Sequence, residues 1–138
     1  MIIGSVSENR DLEKRVSITP DIIKKYISQG FKVLIEKDYG NHLGFFNDVY
    51  VKEGCQIVNR ENVLDKSDII LQLNLPDEKN LQLIKENISL IGVFNVHQNR
   101  EKLVNLSKKK DSPTVCALEP GWCRSVYEPL PRPSFLTA

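Results

Sequence analysis

The feature that most constrains the fold of this chain is the alternation of short, β-branched apolar runs with segments of helical periodicity. This alternation predicts βαβ units, in which parallel strands are joined by helices that cover the sheet. Six strands are predicted near Ile2–Val6, Lys32–Glu36, Gln56–Val58, Asp68–Leu73, Ser89–Val93 and Thr114–Leu118. Helices are predicted between them, at Pro20–Gln29, Asn47–Glu53, Arg60–Leu64, Asp77–Ile84 and Arg100–Lys109. We therefore expect an α/β fold with an open, mostly parallel sheet and helices on both faces.

Local signals place the central strand and the ends of two helices. The near-continuous apolar run after Asp68 is typical of a strand that is buried on both faces. Thr19 is expected to cap the first helix, with Pro20 at its first position. Asn99 is expected to cap the last helix, and the cations Lys108–Lys110 suit its negative end.

Charge and cysteine content exclude several classes of function. With 19 Lys and Arg against 18 Asp and Glu, no net field favours nucleic acid or an anionic membrane as a partner. No apolar run approaches the roughly 18 residues of a membrane span, and the start of the chain lacks a signal peptide's features. We expect a soluble, cytoplasmic chain without membrane insertion. Cys55, Cys116 and Cys123 form no C-x-x-C pair, so neither a disulfide framework nor a metal site is expected.

The composition changes near the C-terminus. The last Ile, Asn and Lys are Ile91, Asn105 and Lys110, after which prolines become frequent. We interpret residues 1–118 as one domain and residues 119–138 as an irregular tail, and from about Pro120 onward we expect no regular structure. A linker, a disordered end and a shifted reading frame are the alternatives for this tail.

Glycine placement bears on nucleotide binding. A dinucleotide fingerprint needs a G-x-G-x-x-G turn, so that the backbone can approach a pyrophosphate. The seven glycines of this chain are scattered and form no such spacing. The expected sheet is therefore flavodoxin- or Rossmann-like but lacks the glycine-rich nucleotide fingerprint.

A basic loop joins the first strand to the first helix. It delivers Arg10, Lys14 and Arg15 beside the positive end of that helix, which predicts an anion-receptive corner. The alternative is a solvated surface, on which Arg15 forms an ion pair with Glu8 or Glu13.

Two asparagines follow predicted strand ends. Asn74 comes after the central strand and Asn95 after the next one, and ligand crevices lie beyond the carboxyl ends of parallel strands. Arg15, Asn74 and Asn95 are therefore the candidate residues of one cleft. His97 lies near the same edge, but a loop histidine bonded to backbone is the favoured interpretation, and His42 is interpreted as structural.

Four ordered stretches carry a resemblance to a known family. They are Glu13–Val16 with Thr19–Pro20, Gly30–Lys37, Gly54–Val58 and Ser67–Leu71. Over residues 1–118 the chain resembles the N-terminal domain shared by alanine dehydrogenases and the α subunit of proton-translocating NAD(P) transhydrogenase.

The resemblance implies different roles for the two branches. In alanine dehydrogenases the residue matching Arg15 contacts the substrate carboxylate, and a lysine and a histidine stand where this chain has Asn74 and Asn95. An asparagine cannot donate a proton near neutral pH, so oxidative deamination would lack its acid–base groups. The transhydrogenase branch is similar in lacking that pair, and its Gln-Asn is matched by Gln98-Asn99. The alternatives are an alanine dehydrogenase domain and a non-catalytic fragment or interaction module.

The transhydrogenase resemblance implies NAD as the cofactor of the full-length enzyme. It also implies a homodimer with NADP-binding and membrane subunits as partners, peripheral to the membrane. The family's loop beginning Pro-Arg-Ile, which contacts the nicotinamide, has no match after Glu119. We therefore expect this chain alone to bind NAD(H) weakly and to be inactive.

Overall fold

A computed structural model describes residues 1–107, 114–119 and 122–125. The strands are β1 (Ile2–Ser5), β2 (Lys32–Glu36), β3 (Gln56–Val58), β4 (Ile69–Gln72), β5 (Ser89–Gly92), β6 (Thr114–Glu119) and β7 (Trp122–Ser125). The helices are α1 (Pro20–Ser28), α2 (Asn47–Lys52), α3 (Arg60–Lys66), α4 (Glu78–Leu83) and α5 (Val96–Ser107). A short 3₁₀ turn at Asn41–Leu43 was not predicted.

The seven strands form one sheet in the order β3-β2-β1-β4-β5-β6-β7. The first six are parallel, and β7 is antiparallel to β6. In β1, Gly4 pairs with Leu34 on one side and Ile70 on the other. The chain thus runs outward from β1 to β3, returns to β4 beside β1, and continues outward, as in doubly wound folds. The predicted α/β class and the central position of β4 are confirmed.

Each face of the sheet carries its own apolar core. In β2, Val33 and Ile35 pack in one core and Leu34 in the other, because successive side chains of a strand point to opposite faces. The first core takes Ile23 from α1 and Tyr50 from α2. The second core comprises Val6, Leu34, Val63, Leu64, Ile70, Ile88, Leu90, Phe94, Leu103, Leu106 and Val115. Helices therefore cover both faces, as the near-continuous apolar strands predicted.

Two predicted helix caps are wrong in detail. Thr19 does occupy the N-cap of α1, but its side chain makes no capping hydrogen bond. The helix α5 begins at Val96, several residues before the predicted start, because the Asn95 carbonyl accepts the N–H groups of Gln98 and Asn99. Asn99 therefore lies inside the first turn, where its Nδ2 donates to the carbonyl of Phe94 at 2.6 Å. Lys108–Lys110 lie outside the described residues.

The expectation of no regular structure from about Pro120 onward is wrong for β7. Gly121 to Glu128 contains no proline, so this stretch keeps the N–H groups that a sheet ladder needs. Within it, Trp122–Ser125 pair with β6, with Cys116 opposite Ser125 and Glu119 opposite Trp122. The rest of the tail lies outside the described residues. Within residues 1–107, 114–119 and 122–125, no helix is long and apolar enough to cross a membrane.

Candidate functional site

A cavity of about 260 Å³ opens where the strand order reverses, beside the carboxyl ends of β1 and β4. This is the place at which open α/β sheets bind ligands, since the crossovers leave a crevice there. The loop after β1, the loop after β4, the start of α3 and the residues around the start of α4 form its walls. Its main polar lining residues are Glu8, Asn9, Arg60, Gln72, Asn74 and Asp77.

Side chains tie the two strand-end loops together. Gln72, only 3% exposed, donates from Nε2 to the carbonyl of Val6 at 2.9 Å. Glu8 accepts the backbone N–H of Leu73 on Oε1 at 2.6 Å. Burial raises the pKa of Glu8, and the backbone N–H groups of Leu73 and Asn74 offset part of that rise. The loop after β1 is therefore held against the end of β4, and Glu8 is fixed at the cavity wall.

An ion pair closes the other side of the cavity. Arg60, the first residue of α3, donates from Nε and Nη2 to the two carboxylate oxygens of Glu36, each at 3.1 Å. Its Nη2 also reaches the Ser7 carbonyl at 3.3 Å, and Glu36 accepts the Ser7 N–H at 2.6 Å. A planar guanidinium suits this paired geometry. The positive charge of Arg60 is therefore neutralised within the wall.

A buried hydroxyl relay supports the loop that carries Arg15. The Tyr39 hydroxyl accepts the N–H groups of Ser17 at 2.9 Å and Ile18 at 3.3 Å. It lies 2.8 Å from Ser5 Oγ, which donates to the Leu71 carbonyl. Because Ser5 Oγ gives its one proton to the Leu71 carbonyl, the Tyr39 hydroxyl is the donor of the hydrogen bond to Ser5 Oγ.

Arg15 lies on the surface and is paired with Glu13. It is 75% exposed, and its Nε and Nη2 donate to the two oxygens of Glu13, each at 2.8 Å. These bonds and the Arg15 N–H lower the pKa of Glu13 to about 2. The ion-pair alternative weighed for Arg15 is therefore the observed arrangement, with Glu13 rather than Glu8 as its partner.

Arg10 and Lys14, the other two basic residues of the predicted anion-receptive corner, connect the loop to its surroundings through a side-chain bond and a backbone bond respectively. Arg10 donates to the carbonyl of Asp38 at 2.8 Å. The carbonyl of Lys14 accepts Nε2 of His42 at 2.7 Å, which agrees with the structural interpretation of that histidine. Both bonds connect the loop after β1 to the segment that follows β2.

Of the three predicted site residues, only Asn74 lines the cavity. Arg15 is turned toward Glu13, and Asn95 is exposed and starts α5 from a left-handed backbone conformation with φ of 45°. The structure therefore brings only Asn74 of the three to this cavity, and a cleft shared by all three stays a prediction. Their contact with a ligand stays a prediction. His97 is exposed on α5.

Comparison with known proteins identifies the family. The family model of the alanine dehydrogenase/PNT N-terminal domain matches residues 4–119. The chain belongs to this family. Alanine dehydrogenase 1 of Staphylococcus aureus, in strains RF122 and Mu50, is 34% identical over 101 residues, which are 73% of this chain and 27% of that protein. The chain therefore spans about a quarter of the length of these relatives.

Two solved structures share the fold of this alanine dehydrogenase/PNT N-terminal domain. The transhydrogenase from Sinorhizobium meliloti aligns with a TM-score of 0.78 at 21% identity, over 85% of this chain and 34% of that one. An L-alanine dehydrogenase aligns with a TM-score of 0.77 at 24% identity, over 85% and 32% respectively. The family consists of oxidoreductases that bind NAD(H), and both of its branches appear among the neighbours.

Within this family domain, the sequence reasoning missed Glu8, Arg60 and Gln72 as cavity residues. The signal for Gln72 was its place at the end of the central strand, one of few polar residues in an apolar run. Glu8 was considered only as a partner of Arg15. Among the described residues, no group of His, Cys, Asp and Glu side chains could hold a metal ion.

Proposed function

We propose that this chain supplies the N-terminal domain of the NAD(H)-binding component of a proton-translocating NAD(P) transhydrogenase. One observation carries the proposal: Asn74 lines the strand-end cavity, and no Lys or His of the described chain lines it. Hydride transfer from NADH to NADP⁺ gives NAD⁺ and NADPH without a proton being taken up or released at the reacting carbons. An amide wall is compatible with that reaction, because it has no need of an acid or base.

The contribution of this domain would be orientation of the nicotinamide side of the cofactor. The Glu8 and Gln72 bonds fix the two loops of the cavity, and rigid loops favour a reproducible distance between reacting carbons. We further propose that the complete protein works as a homodimer on NADP-binding and membrane subunits, at the cytoplasmic side of a membrane. These partners follow from the resemblance of the chain to that branch.

Alanine dehydrogenase is the second candidate, and the Staphylococcus aureus relatives favour it. In this alternative Arg15 would bind the substrate carboxylate. That role requires the guanidinium to keep a free edge, since Nε and Nη2 already bond to Glu13. The alternative has no proton-transfer group at position 74, which is its weakness.

Reciprocal domain exchange separates the two candidates. Residues 4–119 of this chain replace the matched segment of the Sinorhizobium meliloti transhydrogenase and, separately, of Staphylococcus aureus alanine dehydrogenase 1. The proposal predicts measurable hydride transfer from NADH to NADP⁺ in the first hybrid. In the second, oxidative deamination of alanine should fall by about 100- to 10,000-fold, the usual contribution of acid–base catalysis.

The matched control is the second hybrid with Asn74→Lys and Asn95→His, which should recover part of the deamination activity. Deamination at the parent rate in the unaltered hybrid, with no transhydrogenation in the first, would reject the proposal in favour of alanine dehydrogenase. Calorimetric titration of the purified chain with NADH tests the related expectation of weak binding. A low-micromolar dissociation constant would contradict it.

A further inference from the structure

We propose that the strand-end cavity is a subsite for a small cationic group, an ammonium or a comparable N–H donor, which Glu8 accepts. The inference deepens the proposed function and relies on it only for taking this cavity as part of the ligand site. It states that the group that enters the cavity is positively charged and donates hydrogen bonds.

The first step is the charge of the walls. Arg60 is the cation of the lining, and both Glu36 oxygens hold its guanidinium. The remaining ionisable lining residues are Glu8 and Asp77. An ionised Glu8 therefore leaves the walls with an excess of negative charge. A carboxylate that entered would meet like charge, whereas an ammonium would meet opposite charge.

The second step is the amide oxygen of Gln72, which is a hydrogen-bond acceptor in the cavity wall. Because Gln72 Nε2 donates to the Val6 carbonyl, the orientation of its amide is settled and Oε1 is the free end. Gln72 lines the cavity, and its side-chain oxygen can accept a hydrogen bond but cannot donate one. A ligand that donates N–H groups therefore suits this wall better than a ligand that only accepts.

The third step is preorganisation of Glu8. Its Oε1 is held by the Leu73 N–H, so the carboxylate needs no rearrangement to accept a further donor. The neighbouring Asn9, Asn74 and Asn80 add amide oxygens around the same space. An ammonium carries three donors and no acceptor, which matches a wall of carboxylate and amide oxygens.

The test uses the purified, ¹⁵N-labelled chain and two small aliphatic probes of opposite charge, ethylammonium and propionate, at constant ionic strength. The reporters are the backbone N–H of Leu73 and the side-chain NH₂ of Asn74 in two-dimensional NMR spectra. Ethylammonium should give saturable shifts at both reporters, and propionate should give none. Saturable shifts with propionate, or none with ethylammonium, would overturn the inference.

The variant Glu8→Gln removes the charge but keeps a carbonyl oxygen that can accept the Leu73 N–H. Ethylammonium should bind it about tenfold more weakly, equivalent to about 1.4 kcal/mol, because hydrogen bonds to charged groups are stronger than neutral ones. The matched control is Glu86→Gln, at an exposed position before β5, which should bind like the wild type. Unchanged affinity in Glu8→Gln would contradict the role of Glu8.

A second measurement keeps the inference testable if Glu8→Gln fails to fold. In the wild type, ethylammonium affinity should fall as the pH drops and Glu8 takes up its proton; the other carboxyl groups near the cavity are Glu13, Glu36, which is paired with Arg60, and Asp77. Lysine-free and histidine-free walls leave no cation to titrate near neutral pH in the described lining. A pH-independent affinity would refute the inference. Transhydrogenation by the first domain-exchange hybrid is measured separately, so either idea can fail alone.

Discussion

Tyr39 offers the most direct test of how the loop that carries Arg15 is held. The residue is 1% exposed. Its hydroxyl oxygen accepts hydrogen bonds from the N–H groups of Ser17 and Ile18, and the hydroxyl donates a hydrogen bond to Ser5 Oγ. Burial raises the pKa of Tyr39, so the hydroxyl keeps the proton that this relay needs. The substitution Tyr39→Phe keeps the ring and removes only the oxygen at the centre of the relay.

The magnitude follows from the groups left without a partner. Ile18 has 0% exposure to solvent. Its N–H therefore cannot form a hydrogen bond to water in place of the bond to Tyr39 and is left without an acceptor. The Ser17 N–H is partly buried and can be hydrated in part. An unsatisfied buried polar group costs about 1–3 kcal/mol, so we expect Tyr39→Phe to lower the free energy of unfolding by about 2–4 kcal/mol.

The assay is urea denaturation at neutral pH, monitored by far-ultraviolet circular dichroism. The midpoint urea concentrations of the variants are compared on condition that their m-values are equal, so that a shifted midpoint reports a change in stability. The matched control is Tyr26→Phe on α1, because the Tyr26 hydroxyl makes no hydrogen bond to the described part of the chain. The control should lie within about 0.5 kcal/mol of the wild type, as is usual away from such features. A Tyr39→Phe variant as stable as the control would refute the relay.

Three further predictions concern single positions. In Gly92→Ala the added methyl group would overlap the carbonyl oxygen of Gln72, so unfolding free energy should fall by about 1–3 kcal/mol in the same assay. The pKa of Glu13 is lowered from 4.5 to about 2, chiefly by Arg15, so its stabilising effect is present above pH 4.5 and is lost as the pH falls toward 2. The variant Glu13→Gln should therefore show a flatter loss of thermal stability across that acidic window. Burial raises the pKa of Cys55 to about 11, so alkylation mapped by mass spectrometry should modify this thiol only when the chain is unfolded.

Much of the fold was predictable from local pattern. The bounds of β2 and β3 coincide with the runs from which they were predicted. Such strands can be predicted because their length and burial are reflected in the hydrophobicity of consecutive residues. The start of α5 was not predictable in this way, because it depends on a left-handed backbone conformation at Asn95, which is uncommon for residues other than glycine. The strand β7 was missed because pairing with β6 overrides the weak strand signal of its four residues.

The site was less predictable than the fold. Asn74 could be placed because the rule about carboxyl ends of parallel strands needs only the strand assignment. Glu8 and Arg60 could not, since their partners are 65 and 24 residues away in sequence. Arg15 was expected beside Asn74, but its guanidinium pairs with Glu13, which is only two positions away in sequence.

The charge of the cavity joins these observations. A lysine at position 74 would place a cation beside Glu8, and the two would neutralise each other as Arg60 and Glu36 do. With asparagine at that position, the one cation of the described lining is Arg60, which is already paired with Glu36, so the same backbone presents an amide where a lysine would present a positive charge to Glu8. The exchange of lysine for asparagine at position 74 thus has two effects. It changes which reaction the cavity wall can assist, and it changes whether the cavity attracts a positively or a negatively charged ligand. The deamination measured in the hybrids and the cation affinity measured by NMR should therefore change in opposite directions when Asn74 is replaced by lysine.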